Sequence, residues 1–320
     1  MKILYFDTKA TKDKVGAYSY YNGSYIGLCE IAEVDIIRNP ISDIQQVWNK
    51  NYDAVIFGLG WFSNSNPVFF KKIKGLDTID VPVICNLHKP SNEIDLKINF
   101  IKINKIRDVM MSAGFIEKFK LLYQDIQFHL LPFAAHKDIF YPATEKIIDL
   151  GFSGALHNID NGQKIKNGFT KEKSEIRGKI TDIVKSKMAH YNIFWNIGTH
   201  NVIIPEIEYS EKVRSSKIWF STDGPSEEVS PRYYEVILSK TLLMCNTIPE
   251  AYKHIFIDKV NCVVFSDDLH DLEDLINHYL TNNEDRNTII ENAYNDFTKN
   301  HTWKNRSEYI KNLIIERSCT

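Results

Sequence analysis

The sequence predicts an α/β protein of two similar halves, each a parallel sheet wrapped by helices, with a cleft between them. Three observations carry this. Short apolar runs alternate with polar stretches long enough for crossover helices. The alternation stops at 131–142, a segment bracketed by Pro132 and Pro142 and without periodicity. It then starts again. A chain of 320 residues is long enough for two ordinary domains.

Taken in order, the runs at 3–6, 34–37, 54–57, 83–87 and 109–111 read as strands buried on both faces. A crossover helix is expected around Ser42 to Trp48. Ligands in such sheets sit beyond the carboxyl ends of the strands. Three loops occupy those ends: Asp7 to Tyr25 with Gly16 and Gly23, then 58–64, then Asn86-Leu87-His88-Lys89-Pro90. After the proline segment, 147–152 is a strand that should end in a turn at Ser153 and Gly154. A helix follows with Ile176, Ile180, Ile183 and Val184 as its stripe. Strands are expected at 193–195, 218–220, 242–245 and 262–265. Asp267 or Asp268 should cap a helix striped by Leu269, Leu272, Leu275, Ile276, Tyr279 and Leu280. The tail from Glu284 is helical, packing through Trp303, Tyr309, Ile310, Leu313 and Ile314.

Composition narrows the class. Apolar and charged fractions are those of a soluble globular protein, and the net charge of −2 argues against whole-surface nucleic-acid binding. Cys29, Cys85, Cys245, Cys262 and Cys319 are scattered, with no CxxC pair, which points to a reducing compartment and away from structural zinc. No apolar run reaches bilayer length, and Met1-Lys2 leads straight into a strand, so neither signal peptide nor transmembrane segment is expected. A cytoplasmic protein follows, with peripheral membrane attachment left open.

The chemically loaded stretch begins at Ser230. Ser230 is a favoured N-cap and Pro231 fits the first helical position. A helix N-terminus attracts anions, Arg232 adds a phosphate fork, and Glu235, one turn deeper, can accept from two vicinal hydroxyls. Phosphate beside a diol outlines a nucleotide or nucleotide-sugar. The same pair, three residues apart, is also what a solvated helix face looks like.

In this setting the sequence resembles the GT-B glycosyltransferases, which pair two Rossmann-like domains across a cleft, and most of all the spore-coat CgeB/YkvP-like branch of the group-1 enzymes. The segments that carry the likeness are 131–142, then 149–154 with Arg177, then 216–221 with Arg232-Tyr233-Tyr234-Glu235. Val263-Val264-Phe265, 282–286 and 301–306 complete it. It covers about the last 190 residues well and the first 130 by architecture only. The resemblance implies an acceptor-binding domain over 1–140 and a donor-binding domain over 141–302, with a helix at about 303–320 free to pack back on the first.

It also implies a metal-independent hexosyl- or pentosyltransferase with no cofactor and a UDP-, GDP- or TDP-sugar as donor. In the family's paired glutamates the second holds the ribose, here Glu235. The first is Glu227, a weaker carry-over with Glu228 as neighbour. Arg232, Ser230 and the backbone of Ser153 and Gly154 are expected to take up diphosphate charge, with Arg177 and Lys179 as second cations. The family's small residue and Gly after the donor helix are replaced by Ser239-Lys240. His200 ends a donor-domain strand and could line the nucleotide pocket.

His88 is the first candidate for the base, since imidazole titrates near neutral pH, or for a hydrogen bond to the sugar. Asp7, ending the first strand, is the second. No metal is expected: the remaining histidines form no site and no Asp-x-Asp stands after a strand. Trp61 and Phe62 are either stacking or packing residues. The acceptor is unassigned among a glycan, a lipid-linked carrier, a protein and modified DNA; lysines at 97, 102, 105, 118 and 120 make the first half locally basic. Two other readings stand beside transfer: a nucleotide-sugar isomerase or epimerase of the same fold, and a non-catalytic binding or coat-associated protein.

Overall fold

The computed structural model describes residues 1–12, 19–90, 92–155, 174–198, 204–224 and 227–319. It divides into two compact bodies. The first is built mainly from Met1–Lys14, Tyr20–Pro132 and Trp303–Thr320, and the second mainly from Phe133–Thr302.

In the first body, β1 (Lys2–Phe6), β2 (Glu33–Ile37), β3 (Ala54–Phe57), β4 (Val83–Leu87), β5 (Asp108–Met111) and β6 (Gln127–Leu130) form a parallel sheet in the order β2-β1-β3-β4-β5-β6. Strands β3 and β5 are buried throughout and β1 from Ile3 on, as continuous apolar runs require in a sheet covered on both faces. The helices are α1 (Ser19–Cys29), the single turn α2 (Leu59–Phe62), α3 (Ile94–Ile103) and α4 (Ile116–Leu122). The loop expected from Asp7 to Tyr25 therefore gives way to α1 at Ser19. Between Ser42 and Trp48 only a 3-10 turn forms, Ile44–Gln46, closed by a capping box of Asp43 and Gln46. Trp61 and Phe62 have no exposed surface and stack into a cluster with Phe57, Phe70 and Phe100, so they are packing residues.

The second body holds β7 (Ile148–Ala155), β8 (Ile193–Gly198), β9 (Ser216–Ser221), β10 (Leu242–Cys245) and β11 (Val263–Val264), again parallel, in the order β11-β10-β9-β7-β8. Its helices are α5 (Ser174–Lys187), α6 (Glu206–Arg214), α7 (Pro231–Leu238), α8 (Leu272–Thr281) and α9 (Asn283–Asn300). Two local expectations change here. β7 runs on through Ser153 and Gly154 to Ala155, so these residues end the strand instead of forming a turn. The cap of α8 is Asp271, because Asp267 and Asp268 are occupied with Thr247 and His270 before the helix starts.

The last helix, α10 (Trp303–Ser318), belongs to the first body. Its Ile310, Leu313 and Ile314 enter one core with Ile3, Tyr5, Ile56, Ile84 and Met110. Gly23 and Gly27, one turn apart on α1, receive it: a Cβ at Gly23 would lie 2.1 Å from the Trp303 indole nitrogen. At the amino ends of β5 and β6, Arg317 grips Asp108 with both arms (Nε–Oδ2 2.9 Å, Nη2–Oδ1 2.9 Å), and His129 adds 2.8 Å to the same carboxylate. Tyr309, expected in the core, is 43% exposed and turns its hydroxyl to His129 instead.

Burial opposes ionisation of Asp108, but His129 and Arg317 outweigh it and hold the carboxyl below its usual range. Its contribution is thus fully present above the unfolded pKa and is lost as pH falls through the lower folded value. Replacing Asp108 by Ala should cost about 2 kcal/mol in urea unfolding at pH 7, and this cost should shrink below pH 4. A pH-independent cost would sink the charge-pair account. Among the described residues no helix is long and apolar enough to cross a membrane.

Candidate functional site

The order of the second sheet reverses direction at β7, which pairs with β8 on one side and β9 on the other. At such a switch point the connections leave to opposite faces and open a crevice beyond the strand ends. Ser153 and Gly154 stand there on β7, and Thr222 follows β9. Arg177, from the second turn of α5, crosses this point. Its Nε donates to Thr222 Oγ1 at 2.8 Å, and a Cβ on Gly154 would come within 3.2 Å of its Nη1. A side chain at 154 would displace the guanidinium.

Helix α7 supplies the rest. Ser230 is its N-cap in extended conformation and Pro231 opens it. Ser230 makes no capping bond, and its buried Oγ has no hydrogen-bond partner among the described residues. Arg232, half-buried, stands close enough to Arg177 for the two charges to oppose each other. Burial first, and the Arg232 charge second, bring Arg177 down to about 10. Two guanidinium groups held near one another beside a helix start form a site of positive potential fit for a polyanion.

Glu235 lies one turn further in and is 7% exposed. Burial raises its carboxyl to about 7, and Glu206 pushes the same way. The Arg232 charge and the Tyr209 hydroxyl act against this. Tyr209 comes from α6, its ring edge-on to Trp219 (5.6 Å) and Phe140 (5.9 Å). The carboxyl, the phenol and the guanidinium thus meet inside the body, which a solvated Arg–Glu pair on a helix surface would not do.

Glu227 and Glu228 stand partly exposed in the loop before α7. Glu227 has φ 52°, and the 224–228 turn is closed by Gly224 N–H on Glu228 O (2.8 Å) and Glu227 N–H on Gly224 O (3.0 Å). A non-glycine residue at positive φ costs about 1 kcal/mol and marks a loop whose shape is imposed. Just past β9 and β10, Asn246 Nδ2 donates to Asp223 Oδ1 (2.9 Å) and Asp223 N–H donates to Asn246 Oδ1 (3.1 Å), locking the two strand ends together. His200 lies outside the described residues, as do Gly16 and His157. Among the described residues no group of three His, Cys, Asp or Glu is placed to hold a metal.

The two remaining candidates belong to the first body. His88 is buried against Tyr20 and Tyr21 of α1, with ring centroids 5.7 Å from each. Burial, then the charges of Lys89, Lys97 and Lys9, drive its pKa well below the usual value. The ring is neutral at physiological pH and a poor proton acceptor. Asp7 is fully buried. Its Oδ1 accepts from the N–H groups of Lys9 and Ala10 (2.8 Å each), and its Oδ2 accepts from Gly60 N–H (2.7 Å) and Tyr5 OH (3.3 Å). Both oxygens are spent on bracing the loops after β1 and β3.

Sequence reasoning brought Arg232, Glu235, Ser230, Gly154 and Arg177 to one place. It missed Tyr209 and Glu206, because α6 carries only Tyr209, Val213 and the exposed Ile207 as apolar residues. The signal available was charge order: Glu206 and Glu208 open the helix and Lys212 and Arg214 close it, complementing the helix dipole.

Known proteins share the fold that carries these residues. Residues 174–312 match a family described as glycosyl transferase-like. No curated protein matches the chain. Among solved structures, the HepE protein of Anabaena in complex with UDP superposes with a TM-score of 0.56 at 11% identity, over 99% of this chain and 100% of that one. An alpha-glucosyltransferase in complex with UDP and a 13-mer DNA gives 0.56 at 10% identity, with both chains covered in full. A glycosyltransferase from Rickettsia africae gives 0.55 at 12%, over 99% and 98%. At these identities the likeness is one of fold, and the fold is GT-B.

Proposed function

We propose that this protein is a glycosyltransferase that moves a sugar from a nucleoside-diphosphate donor to an acceptor hydroxyl. The observation that carries the reading is the convergence of Arg177, Arg232 and the start of α7 at the switch point, with Glu235 buried one turn deeper. The guanidinium groups and the helix start answer the charge that develops on the diphosphate as the bond from the sugar's C1 to oxygen breaks and the acceptor oxygen bonds to C1, the hydroxyl proton passing to the departing diphosphate. Gly154 leaves room for the Arg177 fork, with Ser153 beside it, and Ser230 Oγ offers a further partner. With this much positive charge supplied by the chain, diphosphate departure proceeds without a metal.

Glu235 takes the ribose hydroxyls, and Glu227 faces the sugar. His88, held neutral, acts as a hydrogen-bonding group. UDP is the first nucleotide to test, because HepE and the alpha-glucosyltransferase are solved with it. Within the class we place the chain nearest the CgeB/YkvP-like branch, on its Arg232-x-x-Glu235 pair. The five free thiols favour the cytoplasm, a reducing compartment.

Thermal shift with UDP-, GDP-, TDP- and CMP-sugars tests the donor class, since a ligand of the native state raises the melting temperature. UDP-glucose adds a sharper test, because its diphosphate has no proton to lose near neutrality. Glu235 accepts from a diol best when ionised. From a carboxyl near 7, affinity should rise about tenfold between pH 6 and pH 8, and Glu235→Gln should flatten the rise. An equal slope in the variant would remove Glu235 from the ribose.

A further inference from the structure

The first body carries a second concentration of positive charge, at the carboxyl ends of β1 and β4, and the donor reading leaves it unused. Lys9 follows β1 and holds its ammonium 5.0 Å from the centre of the Tyr21 ring. Lys89 follows β4 in left-handed conformation, φ 49°. Lys97, on α3 and 1% exposed, donates to the carbonyl oxygens of His88 (2.9 Å) and Lys89 (3.0 Å), which occupies both carbonyls and fixes the strained loop.

The charges of Lys9 and Lys89 oppose each other, and neither lysine makes an ion pair among the described residues. The carboxylate that bears on Lys9 is Asp7, whose oxygens already accept three backbone N–H groups. Asn86 is the penultimate residue of β4. It is 2% exposed and shares a sheet face with His88 by the pleat, and its Nδ2 has no hydrogen-bond partner among the described residues. A buried amide donor without an acceptor is costly unless something supplies one. Opposed ammonium groups, a loop pinned with its carbonyls occupied and an unanswered amide all ask for the same thing: oxygen atoms bearing negative charge.

We propose that this corner of the first body binds an oxyanion, a phosphate monoester or carboxylate, carried by the acceptor. The assignment to the acceptor rests on the donor reading above, in which the second body takes the donor diphosphate. Lys9 and Lys89 supply charge, Asn86 supplies the buried donor, and His88, neutral, orients the hydroxyl-bearing end. A neutral glycan with no anionic group is then a poor acceptor.

The test uses the full chain and inorganic phosphate in isothermal titration calorimetry, at constant ionic strength, with and without saturating UDP. Phosphate should bind with the donor site filled. Lys9→Gln with Lys89→Gln should weaken it at least about tenfold while UDP affinity stays within about twofold, and Asn86→Asp should weaken phosphate similarly. Phosphate binding that UDP abolishes, or that Arg232→Ala removes and the lysine pair does not, overturns the proposal. So does a parallel loss of UDP affinity in the lysine variant, which would hand these cations to the donor. Phosphate uptake through Lys9 and Lys89 in a protein that binds no UDP overturns the donor reading and leaves the oxyanion site standing.

Discussion

Glu235→Gln should lower sugar transfer from UDP-glucose by about a hundredfold or more and, at pH 8, make the unliganded protein more stable. The first effect follows from the loss of a charged acceptor for two hydroxyls in a buried site, worth about 3 kcal/mol or more. The second follows from the same burial. The unfolded carboxyl releases its proton near 4.5 and the folded one near 7. Between those values the folded chain holds a proton that the unfolded chain has lost. Stability therefore falls as pH rises through that window and levels off above it. The full gap corresponds to about 3 kcal/mol, an upper bound for what the amide regains. Melting curves from pH 5 to pH 8 should slope downward in the native protein and lose that slope in the variant. Arg232→Ala should match the loss of transfer and, by leaving Glu235 without its neutralising neighbour, steepen the slope. A variant with full transfer, or a native protein whose melting point is flat across the window, would sink the assignment.

Asp7→Ala should cost about 4 kcal/mol of folding stability or more, the largest stability effect expected in the first body. Three backbone N–H groups and the Tyr5 hydroxyl lose their acceptor at once, and each buried donor left unanswered costs about 1–3 kcal/mol. No side chain can take the place, because the neighbouring backbone is packed against the carboxylate: a Cβ on Gly60 would lie 2.0 Å from Asp7 Oδ1. Asp7→Asn keeps the shape but turns an N–H2 toward N–H donors, so it should lose a smaller part. Urea unfolding with activity measured on the folded fraction separates the two roles proposed for this residue. A base would show native stability with no turnover; a brace shows lost stability with turnover per folded molecule largely kept.

What could be read in advance follows from what burial does to a strand. β1, β3, β4 and β5 are covered on both faces and spell themselves out as apolar runs. β6, at the sheet edge, alternates Gln127, Phe128, His129 and Leu130, and only Phe128 is fully buried, so it was missed. The segment at Ser42 has the length of a crossover helix but little apolar periodicity, and it closes as a capped turn.

At the site, Arg232 and Glu235 were legible because they sit on one helix at fixed spacing behind a recognisable start. Arg177 entered by resemblance, and only the fold shows that it spans Gly154 and Thr222. Tyr209 was not legible as a site residue, because it acts through burial against elements distant in sequence, which spacing does not encode; Asn86 and Lys97 were legible only as a strand-end loop position and a basic residue. Lys240, where a small residue and glycine are usual, takes φ 49° itself. It offsets the strain with an ion pair to Glu291 (2.6 Å) and a contact with the Tyr294 ring (4.7 Å).

The return of α10 to the first body also orders assembly in time. A ribosome delivers all six strands of that body early, but the residues that seal its core, Ile310, Leu313 and Ile314, emerge only after the whole second body. Until then one face of the nascent sheet is covered only in part, by α1, while the second body can close by itself as soon as α9 is out. Maturation therefore runs from the middle outward, and a chain halted before Trp303 presents chaperones with a finished second body and a first sheet still partly open.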